Sequence, residues 1–128
     1  NLEKNIKLEG YPNELIQCLI NIFNNSKDAF KEINQENPLI LISTSFKNNI
    51  INISIKDNAG GISQNIISKI YDPYFTTKHK SQGTGLGLHM TYKLINEGMN
   101  GKIEAQNVEF EYENKIYKGA EFIILLDN

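Results

Sequence analysis

Hydrophobic residues recur along the chain with two different spacings, and these spacings predict its helices and strands. Between positions 14 and 31 they recur every three or four residues, as on one face of an α-helix. The apolar positions of this predicted helix are Leu15, Leu19, Ile22, Phe23 and Phe30. Asn13, which follows Pro12, has a side chain suited to capping the N-terminus of that helix. A second helix is predicted from Leu86 to Glu97, with Gly98 in place to end it.

Four further segments alternate apolar and polar residues, as strands do. They cover positions 39–46, 50–56, 103–113 and 116–126. Asn48 and Asn49 separate the first two segments and favour a hairpin turn. A short helix capped by Ser63 is predicted over 63–71. Strands joined mostly as hairpins, with helices on one face, predict an α+β fold: a two-layer α/β sandwich with a mixed, mostly antiparallel sheet.

Length and charge limit the classes of function. The chain has 128 residues and a net charge of −2, so a single domain spanning 1–128 is expected, without an electrostatic basis for binding nucleic acid or an anionic membrane. No apolar run approaches the roughly 18 residues that span a bilayer. Cys18 is the single cysteine, which fits a core position in a reducing, cytoplasmic setting. The missing initiating Met leads us to expect a fragment of a longer protein.

Three polar side chains gather on one side of the first predicted helix. At 100° per residue, Asn21, Asn25 and Asp28 fall within an arc of about 60°, roughly opposite the apolar face. Amide and carboxylate oxygens are suitable ligands for Mg²⁺, which usually keeps several waters and is shared with substrate phosphates. Taken alone, however, this pattern is more typical of a solvated helix face.

A second candidate site directly follows the second predicted strand, where the sequence from Asp57 to Ile62 is Asp-Asn-Ala-Gly-Gly-Ile. A carboxylate at a strand end can accept a hydrogen bond from an exocyclic amine such as that of adenine. Paired glycines let the backbone approach a flat ring closely. The alternative is an ordinary turn between a strand and a helix, in which Asp, Asn and Gly are common.

A third candidate site opens the second predicted helix, where 83–88 is Gly-Thr-Gly-Leu-Gly-Leu. Backbone N–H groups at a helix N-terminus bind anions, and glycines remove the obstruction of a Cβ atom. No Gly-Lys-Ser/Thr follows, so this is not a Walker A loop. In the preceding polar loop, Tyr74 and Phe75 could anchor a lid from which Lys78 reaches phosphate. An ordinary surface loop is the alternative.

Together these segments, in this order and at these spacings, resemble the four nucleotide-binding boxes of histidine-kinase catalytic domains. Positions 19–30 resemble the N box, 57–62 the G1 box, 70–78 the F box of the Phe-Thr-Thr-Lys type, and 83–88 the G2 box. Gly119 begins a stretch similar to the glycine-led closing strand of the family. The resemblance covers essentially the whole chain and implies the GHKL ATPase superfamily, which also contains gyrase and mismatch-repair ATPases.

The resemblance also implies roles for individual residues in a site for ATP and Mg²⁺. Asn25 would hold Mg²⁺, with Asn21 one helical turn earlier and Asp28 lining the site further along. Asn21, Asn25 and Lys78 would be catalytic. Asp57 would bind the adenine amine, with Gly61 and Ile62 shaping the adenine pocket. The lid would be positioned by Tyr74, and phosphate contacts would come from Lys78, Gly83, Thr84, Gly85, Leu86, Gly87 and Leu88.

Two features depart from the family pattern. Ala59 stands where many relatives have the first glycine of the G1 box, so Gly60 is expected to supply the conformational freedom. The segment 106–118 is longer and more charged than a minimal family hairpin, and we expect an extended strand pair at the domain edge. His79 and His89 match no phosphoacceptor motif, and structural or surface roles are expected for both.

The activity implied by the resemblance is transfer of the γ-phosphoryl group of ATP to a histidine on a separate dimerisation domain. The kinase would thereby act in two-component signalling, with a response regulator as indirect partner. Asn21 favours transfer over hydrolysis, because hydrolysing relatives have a Glu base at this position and an amide cannot accept a proton. A serine kinase acting on a regulatory protein and a non-enzymatic nucleotide sensor are the alternatives.

Overall fold

The computed structural model describes residues 12–73 and 87–127, and in this part of the chain helices pack on one face of a four-stranded sheet. The helical segments are α1 (Pro12–Glu32), a 3₁₀ turn (Ile67–Lys69), α2 (Gly87–Lys93) and a π-helical turn that continues α2 (Leu94–Gly98). The strands are β1 (Ile40–Lys47), β2 (Ile50–Asp57), β3 (Lys102–Tyr112) and β4 (Lys115–Asp127). This confirms the predicted α+β class.

The sheet has the order β1-β2-β4-β3, and each neighbouring pair of these strands is antiparallel. Both hairpins turn on two residues with positive φ, as two-residue loops of type I′ require. Asn48 and Asn49 have φ of 54° and 63°, which confirms the predicted turn. Glu113 and Asn114, at 50° and 65°, form the second turn, one residue earlier than the break predicted after the 103–113 segment.

The core lies between the helices and one face of the sheet. Helix α1 buries a stripe at intervals of four residues, namely Cys18, Ile22, Ser26 and Phe30. The facing side chains of the sheet include Ile51, Ile53, Ile55, Ile103, Phe122, Ile124 and Leu126. The predicted core position of Cys18 is confirmed, since it has no exposed surface, and burial, with a smaller contribution from Glu14, raises the pKa of its thiol to about 11.

Two of the predicted helix boundaries are wrong. Helix α1 begins at Pro12, so Asn13 lies inside its first turn and is not the cap. The short helix predicted over 63–71 is only a 3₁₀ turn, although the Ser63 carbonyl does accept hydrogen bonds from the amides of Ile66 and Ile67.

The end of the second helix also differs from the prediction. Helix α2 passes into a π-helical turn, in which the amide of Met99 donates to the Leu94 carbonyl at 2.9 Å. Gly98 lies inside this turn, and the left-handed conformation expected at a helix end is taken by Asn100, with φ of 51°. Gly101 then packs so closely on β4 that an added Cβ would lie 2.7 Å from the Leu125 carbonyl oxygen.

No helix in 12–73 or 87–127 has both the length and the apolar character that crossing a membrane would require.

Candidate functional site

The carboxylate of Asp57 joins three elements at the point where β2 ends. The side chain is buried, and its Oδ1 accepts hydrogen bonds from the backbone amides of Ala59 at 3.0 Å and Ala120 at 3.2 Å. Its Oδ2 accepts one from the Ser26 hydroxyl of α1 at 2.8 Å. An ionised carboxylate has about four acceptor positions. Among the described residues Oδ2 has this single donor, so it keeps capacity for another.

Gly119 of β4 makes this arrangement sterically possible. A Cβ atom on Gly119 would lie 1.6 Å from the carbonyl oxygen of Asp57 and 2.8 Å from its Oδ1. Because the closest of these atoms is backbone, no side-chain rotation could relieve the clash. The glycine that the sequence marked only as the start of a closing strand is therefore required for β4 to approach Asp57.

The loop after Asp57 runs along β4 beyond the last pair of the β2–β4 ladder. Gly60 donates its amide to the Lys118 carbonyl at 3.2 Å. Gly60 and Gly61 have φ of 90° and 91°, a region that strongly favours glycine, whereas Ala59 is not among the residues with positive φ. The expectation that Gly60 provides the freedom that Ala59 lacks is confirmed.

A residue that sequence reasoning missed holds the far end of this loop. The Asn107 side chain of β3 accepts a hydrogen bond from the Ile62 amide at 2.6 Å through Oδ1 and donates to the Ile62 carbonyl at 2.7 Å through Nδ2. One signal for it was available. Asn107 falls in step with Ile103 and Ala105, at a position of the alternating pattern where an apolar residue would be expected.

The neighbouring Asn58 ties the loop to the segment after α1. It is buried, its Oδ1 accepts from the Leu39 amide at 2.8 Å, and its Nδ2 donates to the Asn37 carbonyl at 2.9 Å. Its own carbonyl accepts from Nε2 of Gln35 at 2.8 Å. Asn58 thus has a structural role: it joins the start of the loop to the segment between α1 and β1.

Asn21 connects α1 to the first turn of α2. Its Nδ2 donates to the Gly87 carbonyl at 3.2 Å and lies 3.1 Å from the Thr91 hydroxyl, and its Oδ1 accepts from Nε2 of Gln17 at 3.0 Å. Thr91, another residue that the sequence did not single out, is fully buried and donates to the same Gly87 carbonyl at 2.9 Å. The structure therefore brings together the predicted residues Asn21 and Gly87.

The other predicted site residues on these helices lie nearby along the chain. Asn25, one turn after Asn21, and Asp28 are half-buried on α1. Leu88 is half-buried and packs against the core. Within 12–73 and 87–127, no three His, Cys, Asp or Glu side chains are grouped so that they could hold a metal ion, and magnesium ligation by Asn25 stays a prediction.

His89 is fixed by the segment that precedes the predicted lid. Its Nδ1 donates to the Tyr71 carbonyl at 3.0 Å, in agreement with the structural role expected for it. The Tyr71 ring packs against Tyr92 with 5.3 Å between centroids, and burial, followed by the nearby Glu104 and Tyr92, raises the pKa of the Tyr71 hydroxyl.

The predicted lid and most of the predicted phosphate loop lie outside the described residues. This applies to Tyr74, Phe75, Lys78, His79, Gly83, Thr84, Gly85 and Leu86. Their predicted roles are thus untested by the geometry.

The fold is that of a known family. The chain belongs to the family described as histidine kinase-, DNA gyrase B- and HSP90-like ATPase, whose sequence model matches residues 10–128. This membership confirms the family inferred from the four boxes.

Kinases are among the relatives that the chain resembles. It is 32% identical over 120 residues to sensor histidine kinase ZraS of Escherichia coli O157:H7, which covers 94% of this chain and 23% of ZraS. It is 30% identical over 131 aligned positions to sporulation kinase C of Bacillus subtilis strain 168, which covers 98% of this chain and 27% of that kinase. Among solved structures, the catalytic domain of histidine kinase ThkA matches with a TM-score of 0.75 and 29% identity, covering 98% of this chain and 73% of that one.

These likenesses confirm that the chain is a catalytic, ATP-binding domain of the histidine-kinase type, and the enzyme class expected from the sequence is that of its relatives. The chain spans well under a third of either curated relative.

Proposed function

We propose that this domain binds Mg-ATP and transfers the γ-phosphoryl group to a histidine carried by a separate dimerisation domain of the same kinase. The observation that carries the proposal is the buried Asp57 carboxylate, held by donors from α1, the loop and β4, with acceptor capacity remaining on Oδ2. A response regulator would be the indirect partner. The cytoplasm would be the compartment, since it supplies ATP.

The carboxylate gives a physical reason for choosing adenine. The exocyclic amine of adenine is a donor and can complete the acceptor capacity of Asp57 Oδ2. Guanine presents a carbonyl oxygen at the corresponding ring position, and two acceptors facing each other would leave both without a partner. Since unpaired buried polar groups are costly, Asp57 favours adenine over guanine.

The donor chemistry of α1 fits Mg²⁺. Asn25 offers a neutral amide oxygen one helical turn from Asn21, whose own amide reaches the first turn of α2. Asn25 would hold the ion together with phosphate oxygens and waters. When bound, the ion would neutralise the charge on the phosphates.

Asn21 supports transfer to an external nucleophile over hydrolysis. Its amide cannot act as a base toward water, and its Nδ2 is engaged with Gly87 and Thr91. Phosphoryl transfer depends mainly on positioning and charge neutralisation, so an imidazole delivered by another domain is sufficient as nucleophile.

The test is a transfer assay with γ-labelled ATP, this chain and the histidine-bearing domain of its parent kinase. Acid-labile, base-stable label on that domain is expected, because phosphohistidine has this stability profile. The same domain with its histidine replaced by alanine is the control and should stay unlabelled. Acid-stable label on serine would assign the alternative kinase class, and absence of label despite ATP binding would support a nucleotide-sensing module.

A further inference from the structure

The extended β3–β4 hairpin contains an amide that reaches back to the loop proposed to bind adenine. This loop spans 57–62 and is called the adenine loop below. Its start is fixed where Asp57 Oδ1 accepts from the Ala120 amide, and its end is fixed where Asn107 bonds both backbone groups of Ile62. Ala120 and Asn107 are paired across β4 and β3. One position of the hairpin therefore holds both ends of the adenine loop.

The bonding of Asn107 to Ile62 imitates the pairing of two strands. A side-chain amide carries a donor and an acceptor in the same planar group, as a peptide does. With Oδ1 on the Ile62 amide at 2.6 Å and Nδ2 on the Ile62 carbonyl at 2.7 Å, Asn107 satisfies the residue as a neighbouring strand would. Both backbone groups of Ile62 are thereby hydrogen-bonded, although the adenine loop does not form a strand of the sheet.

The absence of a side chain on Gly61 leaves room for the Asn107 amide. A Cβ atom on Gly61 would lie 2.8 Å from Oδ1 and 3.3 Å from Cγ of Asn107, so the amide occupies the space where a side chain would stand. Gly61 also has φ of 91°. Two observations therefore favour glycine at position 61: its backbone conformation and the close approach of Asn107.

We propose that Asn107 is a positioning residue that holds the adenine loop in its binding conformation. The inference rests on the proposed function, because it assigns to Asn107 the preorganisation of residues expected to contact the base. Asn107 itself is exposed and touches the loop backbone, so removing its amide should loosen the loop while leaving the core of β-strands and α1 intact. It gives the 106–118 extension a role that its sequence did not indicate.

The experiment measures ADP binding by calorimetry for the chain with Asn107→Ala. We expect the Kd to rise about tenfold with the number of sites per molecule unchanged, because the loop must then be ordered on binding. A structural role alone would lower the number of competent sites or the thermal midpoint. Hydrogen exchange of the Ile62 amide should accelerate in the variant, because that amide loses its hydrogen bond to Asn107.

The matched control is Gln106→Ala on the opposite face of β3. Gln106 also uses its Nε2 as a donor, to Glu121 Oε1 at 2.7 Å, but does not contact the adenine loop. Its ADP affinity should equal that of the unchanged chain. Equal ADP affinities for Asn107→Ala, Gln106→Ala and the unchanged chain would overturn the inference alone. An unchanged chain that binds no adenine nucleotide would instead overturn the proposed function, and the inference with it.

A second variant covers the case in which Asn107→Ala is poorly folded. Asn107→Asp keeps the shape and the acceptor for the Ile62 amide but loses the donor and sets a carboxylate against the Ile62 carbonyl. It should also weaken ADP binding about tenfold at neutral pH with one site per molecule. An Asp variant that binds ADP as tightly as the unchanged chain would contradict the role of the Nδ2 donor.

Discussion

At the scale of single residues, the Asp57 carboxylate combines a structural role with a proposed role in adenine recognition, and both roles require the same hydrogen-bonding chemistry. Its Oδ1 accepts hydrogen bonds from the amides of Ala59 and Ala120 at the end of the sheet, and in the proposed function the carboxylate would also offer an acceptor to adenine. Both roles need an acceptor-only group, and an ionised carboxylate is the side chain that provides one. The structural bonds use Oδ1, which leaves Oδ2 and its Ser26 partner on the side of α1.

Replacement of Asp57 by Asn should therefore weaken ADP binding. The amide turns one acceptor into a competing donor, and the loss of a charge-assisted hydrogen bond costs about 1.5–3 kcal/mol, or more than tenfold in Kd. Calorimetry with ADP measures this. Ser26→Ala is the matched comparison, because it removes the donor to Oδ2 and leaves the carboxylate; it should reduce stability by about 1 kcal/mol and preserve ADP binding. Unchanged ADP affinity in Asp57→Asn would exclude adenine recognition by this residue.

Replacement of Gly119 by Ala should destabilise the domain severely. The added Cβ would lie 1.6 Å from a backbone oxygen, so β4 would have to separate from the end of β2. We expect a loss of more than about 3 kcal/mol in the free energy of unfolding, measured by urea denaturation. Gly98→Ala is the control: nothing lies within 4 Å of its Cβ position, and we expect a change of at most about 1 kcal/mol. Similar stabilities for the two variants would contradict the steric argument.

Replacement of Asn25 by Ala should change the metal dependence of nucleotide binding. We expect the variant to lose affinity for ADP when Mg²⁺ is present and to match the unchanged chain when Mg²⁺ is removed by EDTA, because the amide oxygen is proposed as an ion ligand. Paired calorimetric titrations give the comparison. Asn24→Ala, an exposed neighbour on α1, should behave as the unchanged chain in both conditions. Equal losses with and without Mg²⁺ in Asn25→Ala would argue against ligation by this residue.

At the scale of elements, the parts that could be predicted are those fixed by local pattern. Helix α1 and the four strands bury one face against a common core, so their apolar periodicity follows from geometry. The 63–71 segment was predicted wrongly because its apolar spacing looks helical, whereas its backbone carbonyls at Ser63, Ile66 and Lys69 accept bonds in separate turns and not in a continuous helix. The π-helical end of α2 has no local signal, since the close packing of Gly101 on β4 fixes where the chain must leave the helix.

The residues of the candidate site also divide into those that local sequence predicts and those that only tertiary packing brings to the site. Asp57 and Gly60 were predictable because the strand end and the turn chemistry are contiguous in sequence. Asn107 and Thr91 were missed because they reach the site through contacts 45 and 70 positions away, which only the strand pairing and helix packing create. In the sequence Ser26 resembles a small core residue, and only the structure shows that its hydroxyl donates a hydrogen bond to Asp57.

The contact between α1 and α2 gives a prediction at this scale. Asn21→Asp keeps the size of the side chain but replaces the Nδ2 donor with an acceptor facing the Gly87 carbonyl. We expect the first turn of α2 to separate from α1, with a loss of about 1–3 kcal/mol in the free energy of unfolding by urea denaturation. Gln17→Ala removes only an exposed hydrogen bond to Asn21 and should cost under about 1 kcal/mol. An Asp variant as stable as the Gln17 variant would show that Asn21 does not join the helices.

At the scale of the whole molecule, the proposed site lies along one edge of the two-layer fold. The end of β2, the start of α2 and the middle of α1 meet there, and their side chains are fixed by hydrogen bonds between elements. A frame of this kind could orient a bound nucleotide, and the hydrogen bonds that hold it use no histidine. The proposed function therefore assigns the acceptor histidine to another domain, which would have to bring its imidazole to near-attack distance.

The chain alone should therefore bind ATP without phosphorylating itself and without hydrolysing ATP quickly. Self-phosphorylation needs an imidazole in line with the γ-phosphate at near-attack distance. His89, two residues after Gly87, is held by its hydrogen bond to the Tyr71 carbonyl, and neither His89 nor His79 carries an acceptor signature. Rapid hydrolysis needs an activated water, for which the Asn21 amide is no base.

Incubation with γ-labelled ATP, followed by gel analysis of the protein and measurement of free phosphate, tests both expectations. A His89→Ala variant separates the sources of any label, because label that persists in it cannot lie on His89. Stable histidine label on the chain, or phosphate release as fast as the transfer to the supplied histidine domain, would mean that the acceptor or the reaction class has been assigned wrongly.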